Sequence, residues 1–461
     1  MSIGVRHPWQ AVDYQELARL YPPPSEYFES RWYDEPEEID RLKLARLKSR
    51  ALHAERIPFH QRRWQEAGFD PRGIATLDDA LAAPVFDVED IRESIEKYPP
   101  MGDYQAVGLA DVVREPIRIH MSGGTTGAPR PTFYTAWDRE VGGVLTARGV
   151  YLQGIRPGDV VLNSWSYGLH NGAFIFDEAL HRWLNCVIVT TGTGNVTSTR
   201  KQVTLARDYR AAAILTTGDY LLRIAEEARL MGLDPARDLF LKSLATNVGS
   251  EDQLEEVFGL RSFATYGIHE LQFVSAECEA HDGLHIFEDA YHIQVVDPDT
   301  GEELPDGELG SMVVTEMYKT GSAQYRFDTR DLAYLYPRER CACGSWTRRM
   351  SKFAGRADNM VKLRGINVWP EGVGKIAASV SGLTSDYFVT LQRDGSRDTL
   401  TIAVVSEAPR DAWPTVKENA EQLLNDSFGI AIGVDVVAPG DLDELTEIHT
   451  SPKPKRFKDL R

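Results

Sequence analysis

The sequence predicts an α/β protein with a large, multi-subdomain N-terminal domain of mixed sheets and helices and a small α+β C-terminal domain. Three observations predict it. The chain has 461 residues, more than one ordinary core accommodates, so at least two domains are expected. From about 116 to 350, short apolar runs alternate with longer helical stretches; Val160-Val161-Leu162, Val187-Ile188-Val189 and Ala213-Ile214-Leu215 are examples. That alternation is the pattern of a largely parallel sheet crossed by helices. Finally, Tyr387 to Leu391 and Thr399 to Val405 read as strands and Ala412 to Asp426 as a helix, a compact α+β set at the end of the chain.

The remaining elements follow in order. Residues 37 to 67 read as helical, with Leu42, Leu44, Leu47 and Leu52 among charged residues and no Gly or Pro until Pro58. Residues 78 to 98 form a second short helical region after the Pro71 to Gly73 loop. Residues 284 to 336 are richer in strands. Ile293 to Val296, Ser311 to Thr315 and Leu332 to Tyr336 are separated by the turn signals Asp297-Pro298 and Pro305-Asp306-Gly307. No internal repeat or low-complexity segment is present.

Composition narrows the class. Hydrophobic residues are 42% and charged residues 26%, ordinary for a soluble globular protein. No run approaches the roughly 18 apolar residues needed to span a membrane, and Met1 to Gln10 lacks the apolar core of a secretory signal. A cytoplasmic location without membrane contact is the expectation. The net charge of -18 argues against nucleic acid as a partner, because that binding rests on neutralising phosphates with Lys and Arg. Any anionic substrate must meet a local positive site. Four cysteines in so long a chain do not make a disulfide framework.

Met121-Ser122-Gly123-Gly124-Thr125-Thr126-Gly127-Ala128-Pro129-Arg130 is the first motif. Its glycines let the backbone turn and expose N–H groups, which form an anion-binding nest. The hydroxyls of Ser122, Thr125 and Thr126 add donors for phosphate oxygens, and Arg130 adds charge. No Gly-Lys-Ser/Thr follows, so the loop is not of the Walker type.

The loop resembles the phosphate loop of adenylate-forming enzymes, and further motifs of that superfamily follow in order. These are Tyr266-Gly267-Ile268-His269-Glu270, Phe327-Asp328-Thr329-Arg330-Asp331, Gly355-Arg356-Ala357-Asp358-Asn359 and Arg364-Gly365-Ile366-Asn367-Val368-Trp369-Pro370. Gly283 to Asp289, Leu304 to Gly310, Ile57-Pro58-Phe59 and the tail Lys453 to Arg461 resemble the phenylacetate–CoA ligase branch. The resemblance covers nearly the whole chain. It implies ATP-dependent activation of an aromatic carboxylic acid to an acyl-adenylate, then thioester formation with coenzyme A. An acceptor thiol on a carrier protein, an amine acceptor, and a degenerate nucleotide- or aryl-acid-binding protein are the other readings. It also implies a domain boundary, with residues 1-357 as the adenylation domain and 358-461 as a small mobile domain carrying the catalytic lysine.

The resemblance also assigns roles. Lys453, Glu270 and Thr126 would serve catalysis, with Glu270 holding Mg2+, a hard cation that prefers oxygen ligands. Lys455 is the alternative lysine, since Pro452 and Pro454 restrict the backbone around Lys453. Ser122 to Gly127 would hold the ATP phosphates. Tyr266 with Gly267, and Gly249-Ser250-Glu251, would lie beside adenine, where a flat ring covers a flat base. Asp331 and Arg356 would meet the ribose. Asp358 matches the hinge about which the small domain rotates between half-reactions, and Gly365 would line the pantetheine tunnel. Tyr167, His170 and Phe174, in and just after Trp165 to Gly172, are the candidate acid contacts. A homodimer accords with the branch, where dimers are common.

Cys278-x-x-His281 and Cys341-x-Cys343 supply three thiols and an imidazole, the closed tetrahedral set of a structural Zn2+ site. His285 is the alternative fourth ligand, and two unrelated cysteine clusters are the alternative to a site. Some members of the branch carry such a zinc.

Overall fold

The computed structural model describes residues 5–122, 129–245, 250–357, 361–363, 366–394, 397–447 and 454–461. The chain divides into two compact units, one of Met1–Thr329 with Tyr334–Lys352, the other of Arg330–Ala333 with Phe353–Arg461.

The first unit begins helical. The helix read from the sequence over 37 to 67 is two helices, Pro36–Ala54 and Pro58–Ala67. The break falls before Pro58, which disfavours helical geometry in the residue preceding it and starts the next helix at the position where a missing N–H costs nothing. Nor is the buried face of Pro36–Ala54 the leucine stripe. Leu52 is exposed, while Lys43, Arg46 and Arg50 are buried with Leu47 and Ala51. Lys43 meets Glu288 at 2.5 Å, and Arg50 bonds the Glu316 carboxylate and the Lys319 and Ser322 carbonyls. Each buried cation is matched by an anion or carbonyl, which makes its burial tolerable. Residues 78 to 98 likewise hold two short helices, Leu77–Leu81 and Val88–Lys97.

Strands β1 (Ile117–Met121) and β2 (Pro131–Thr135) pair antiparallel. The parallel sheet expected from the apolar runs is present. β3 (Val160–Asn163) lies between β4 (Val187–Thr190) and β5 (Ala213–Leu215). β6 (Leu244–Ala245) and β7 (Ser262–Phe263) form a short parallel pair. Next come β8 (Thr265–Ile268), β9 (Gln272–Glu277) and β10 (Leu284–Ile286). β11 (Tyr291–Val296), β12 (Gly310–Glu316) and β13 (Phe327–Ala333) follow, then β14 (Arg349–Met350). One antiparallel sheet has the order β14-β10-β9-β8. β13 runs earlier than the Leu332 to Tyr336 strand predicted from apolar content. Its polar residues are buried because neighbours satisfy them: Ser311 Oγ donates to Asp328 Oδ1 at 2.5 Å and Thr329 Oγ1 to the Met312 carbonyl at 3.0 Å.

The helix Ala136–Leu152 runs through the middle of this unit, buried over Asp138 to Val150. It packs on β9 at Gly149, where an added Cβ would lie 2.1 Å from the Phe273 ring. Gly149→Ala is expected to lower stability by about 1–3 kcal/mol through overpacking, measured as a lower urea midpoint. An unchanged midpoint would contradict that packing.

In the second unit, β15 (Gly355–Arg356) pairs with Asp331 and Leu332. β16 (Val361–Leu363) pairs with β17 (Ile366–Val368). Strands β18 (Leu383–Asp394), β19 (Arg397–Ser406), β20 (Gly433–Val437) and β21 (Phe457–Asp459) form a sheet in the order β20-β19-β18-β21. Helices Pro370–Ala378 and Trp413–Phe428 contribute Val373, Ala377, Val416, Ala420 and Leu424 to one core with Val389, Leu391, Ile402 and Val404. β18, β19 and Trp413–Phe428 are the two strands and the helix read from the sequence, the strands extending beyond the read bounds; β20, β21 and Pro370–Ala378 have no counterpart in that reading.

Candidate functional site

Strands β1 and β2 flank the glycine-rich segment. Its residues Gly123, Gly124, Thr125, Thr126 and Gly127 lie outside the described residues, as do Gly249, Asp358, Gly365 and Lys453. The neck of the segment is described. Ser122 N–H donates to the Arg130 carbonyl at 3.1 Å, and Arg130 N–H to Ser122 Oγ at 3.4 Å. The Arg130 guanidinium then turns to Glu270, with Nη2 2.8 Å from Oε1. A buried carboxylate and a cation therefore stand together at the neck of the glycine-rich segment.

Glu270 sits in the turn between β8 and β9. At Gly267 of that hairpin a Cβ would lie 2.2 Å from the Gln272 carbonyl oxygen, so no side chain fits. The turn is held from below. Tyr134 Oη donates to the His269 carbonyl, and Lys319 Nζ donates to the Glu270 carbonyl. Lys319 is fully buried, with its ammonium 4.7 Å from the centre of the Tyr134 ring. Burial pushes its pKa down to about 7, against the pull of Asp138 and Glu270. Burial alone would raise the Glu270 carboxyl, but the charges of His269 and Arg130 outweigh it and hold the group below its ordinary value. Burial also holds His269 down to about 4, so near neutrality Arg130 is the charge that matters. The geometry presents an ionised carboxylate on a rigid turn, able to take a hard cation. Tyr266 lies buried on β8.

The candidate acid contacts cluster in part. Phe174 meets Tyr167 edge-on at 5.4 Å and His120 at 5.3 Å. Tyr167 Oη donates to Asp177 at 2.8 Å. His170 lies in the same loop, near enough to His269 to disfavour its protonation. His120 and Arg139 form a buried polar floor that sequence reasoning missed. Arg139 pairs with Glu178 and reaches His120 Nε2 at 2.9 Å. Burial and then Arg139 push His120 down to about 4, so the ring is neutral and donates from Nδ1 to the Leu169 carbonyl at 3.2 Å. No motif announces His120, Arg139, Tyr134 or Lys319.

Elsewhere, Ser250 donates to Asp219 at 2.8 Å and precedes the helix Glu251–Phe258. In the second unit, Asp331 and Arg356 pair across β13 and β15 at 3.0 Å. Lys455 pairs with Glu447 at the surface.

The cysteine cluster differs from the first expectation in one ligand. Cys278, His285, Cys341 and Cys343 place their donor atoms within 4.8 Å of one another. His281 is not among them. It stacks on Phe263 at 4.7 Å and lies 3.6 Å from Glu277. Antiparallel pairing explains the exchange. Leu284 lies opposite Glu277 and His285 opposite Ala276, so Cys278 and His285 are diagonal neighbours on one face of the hairpin. Cys278 Sγ and Cys341 Sγ are 3.8 Å apart, and Cys343 Sγ is 3.5 Å from His285 Nε2. The sulfur pair is too far apart for a disulfide. Ligands about 2.3 Å (S) and 2.0–2.1 Å (N) from a tetrahedral centre would stand roughly 3.8 and 3.5 Å apart, the separations these two pairs have. Thr347 Oγ1 holds His285 Nδ1 at 2.8 Å, leaving Nε2 turned to the thiols.

Comparisons with known proteins agree with one another. The sequence profile of the AMP-binding enzyme C-terminal domain matches residues 365–461. A phenylacetate-coenzyme A ligase of Thermus thermophilus is 34% identical over 454 residues, 92% of this chain and 97% of its own. One from Escherichia coli K12 is 31% identical over 80% of this chain and 82% of its own. The crystal structure of a 2-hydroxyisobutyryl-CoA ligase in the postadenylation state superposes with a TM-score of 0.83 at 27% identity, covering 94% of this chain and 92% of the other.

Proposed function

The chain belongs to the phenylacetate–coenzyme A ligase family, and from that membership we propose that it activates an aryl or arylacetic acid with ATP and transfers the acyl group to coenzyme A. In the first half-reaction a carboxylate oxygen attacks the α-phosphorus, forming the acyl-adenylate and releasing pyrophosphate. In the second, the coenzyme A sulfur attacks the acyl carbon, forming the thioester and releasing AMP and the thiol proton. Both steps bring anionic or polar partners together, so catalysis is mostly positioning and charge neutralisation.

The observation that carries the reading is the Arg130–Glu270 pair at the neck of the glycine-rich loop. Arg130 offers positive charge where phosphates would lie. Glu270, held ionised on a turn fixed by Tyr134 and Lys319, would hold Mg2+, whose bound form would offset phosphate charge. Lys453 would meet the reacting carboxylate and α-phosphate. Asp331 and Arg356 would serve the ribose, and the Tyr167–Phe174 cluster would bound the aromatic acid. Cys278, His285, Cys341 and Cys343 would hold one structural Zn2+. With four protein ligands and no open position, its role is to tie β9 and β10 to the segment before β14. ATP and coenzyme A as substrates suit the cytoplasm, and no helix among the described residues is long and apolar enough to cross a membrane.

Acid-dependent exchange of pyrophosphate into ATP across a panel of aryl acids tests the first half-reaction, with coenzyme A then supplied to test the second. Exchange with at least one acid, followed by thioester formation, is expected. Absence of exchange with every acid would refute the activity, and exchange without transfer to coenzyme A would redirect the second step to another acceptor.

A further inference from the structure

The carboxy ends of β3, β5 and β6 enclose a small cavity. Trp165 follows β3, Thr216 follows β5, Ala245 ends β6, and Thr265 opens β8. In open parallel sheets, ligands bind outside the carboxyl ends of the strands, so the cavity lies on the edge of the fold where a substrate is expected. It also adjoins the candidate acid contacts: Trp165 shares a loop with Tyr167, and Phe176, also on its wall, shares a helix with Phe174. The space is about 10 Å³, room for one water-sized group rather than a ring.

One wall carries a polar atom with nothing to bond. Gln153 caps the helix Ala136–Leu152 and is 0% exposed. Its backbone is satisfied, the N–H by Gly149 and the carbonyl by Ser243 Oγ at 2.7 Å. Its side-chain Nε2 donates to the Ala264 carbonyl at 3.1 Å. That carbonyl can only accept, which fixes which amide atom is the nitrogen and leaves Oε1 to find a partner elsewhere. Among the described residues Oε1 has no hydrogen-bond partner. Leaving a buried amide oxygen unpaired is costly, and such an atom needs an explanation. The surrounding wall is aromatic and aliphatic apart from the Thr216 and Thr265 side chains.

We propose that Gln153 is a specificity-determining residue whose amide oxygen accepts a hydrogen bond from a hydroxyl or amino group at the far end of the aromatic acid. The inference rests on the proposed function and narrows its substrate class to ring-hydroxylated or ring-aminated acids. An oxygen acceptor requires a donor, so halogen or methyl substituents do not satisfy it. A space the size of one water admits a single heavy atom beyond the ring. A site built around such a bond rejects the analogue lacking the donor, because the acceptor is then left unpaired.

The test compares kcat/KM for pyrophosphate exchange with phenylacetate, 4-hydroxyphenylacetate and 4-aminophenylacetate in the wild type and in Gln153→Met. Met preserves length and removes the acceptor. Ala264 keeps a partner in the variant, because its carbonyl also accepts from Glu277 N–H at 3.0 Å. The wild type is expected to favour the hydroxylated and aminated acids by about 10- to 100-fold, and Gln153→Met to lose that preference while still using phenylacetate. Equal use of all three acids by the wild type overturns the inference whatever the variant does, and makes the cavity a water site. A preference that survives in Gln153→Met overturns Gln153 as its source. Exchange with none of the acids is a different result: it counts against acid activation itself, and the inference falls with it.

Discussion

Glu270→Gln is expected to slow acid-dependent pyrophosphate exchange by about 10²–10³-fold, the usual cost of removing one charge-stabilising group from a reacting centre. It should also raise the Mg2+ concentration needed for half-maximal rate. The structure separates this effect from misfolding. The His269–Glu270 turn is pinned through its main-chain carbonyls by Tyr134 and Lys319, not through the Glu270 side chain. Glutamine has the same shape, and its amide oxygen can still accept from Arg130. What changes is the charge. Because the charges around it, His269 and Arg130, hold the Glu270 carboxyl below its ordinary pKa, the wild-type group is ionised throughout the physiological range, and only the variant is neutral there. Exchange and thermal melting are measured on the same preparation. A variant that melts as the wild type does and exchanges within a few-fold of it would remove Glu270 from the reaction.

The same turn shows how much of the site the sequence carries. Glu270 and Ser122 lie in local motifs, whose residue types and spacing are visible along the chain. Lys319 and Tyr134 act on main-chain carbonyls, which have no side-chain identity for a motif to match, and they reach them from distant segments. Gln153 is invisible for a similar reason: its significance is an atom left without a partner, which exists only after α/β packing has closed around it. The fold was legible where a strand is a continuous apolar run, as in β3 and β5, or carries apolar residues in alternation, as in β18 and β19. It was misread in Pro36–Ala54, where buried Lys43, Arg46 and Arg50 are paired with partners remote in sequence. It was misread again in β13, where buried Asp328 and Thr329 bond across the sheet.

His285→Ala should abolish stoichiometric metal, whereas His281→Ala should keep about one zinc per chain. The pair of variants isolates the consequence of strand pairing. In sequence, His281 looks the better partner for Cys278, being three residues away in a Cys-x-x-His spacing. On the β9–β10 hairpin the chain reverses, with His281 at φ +50° in the turn. The imidazole that returns to the Cys278 face is that of His285, two residues beyond the turn glycine Gly283. There Thr347 orients it with Nε2 toward Cys343. A bound ion stabilises the folded state by its binding free energy at the prevailing metal concentration, about 4 kcal/mol when free metal exceeds Kd a thousandfold. Removal of zinc by a chelator should therefore lower the melting temperature by roughly 5–10 °C, and His285→Ala should melt at that lower temperature with or without zinc. The loss is expected in stability rather than in chemistry, because four protein ligands leave no position for a substrate. Wild-type protein that melts identically before and after exhaustive chelation, or a His285→Ala variant that retains one equivalent of zinc, would show that the thiol cluster holds no structural ion through this histidine.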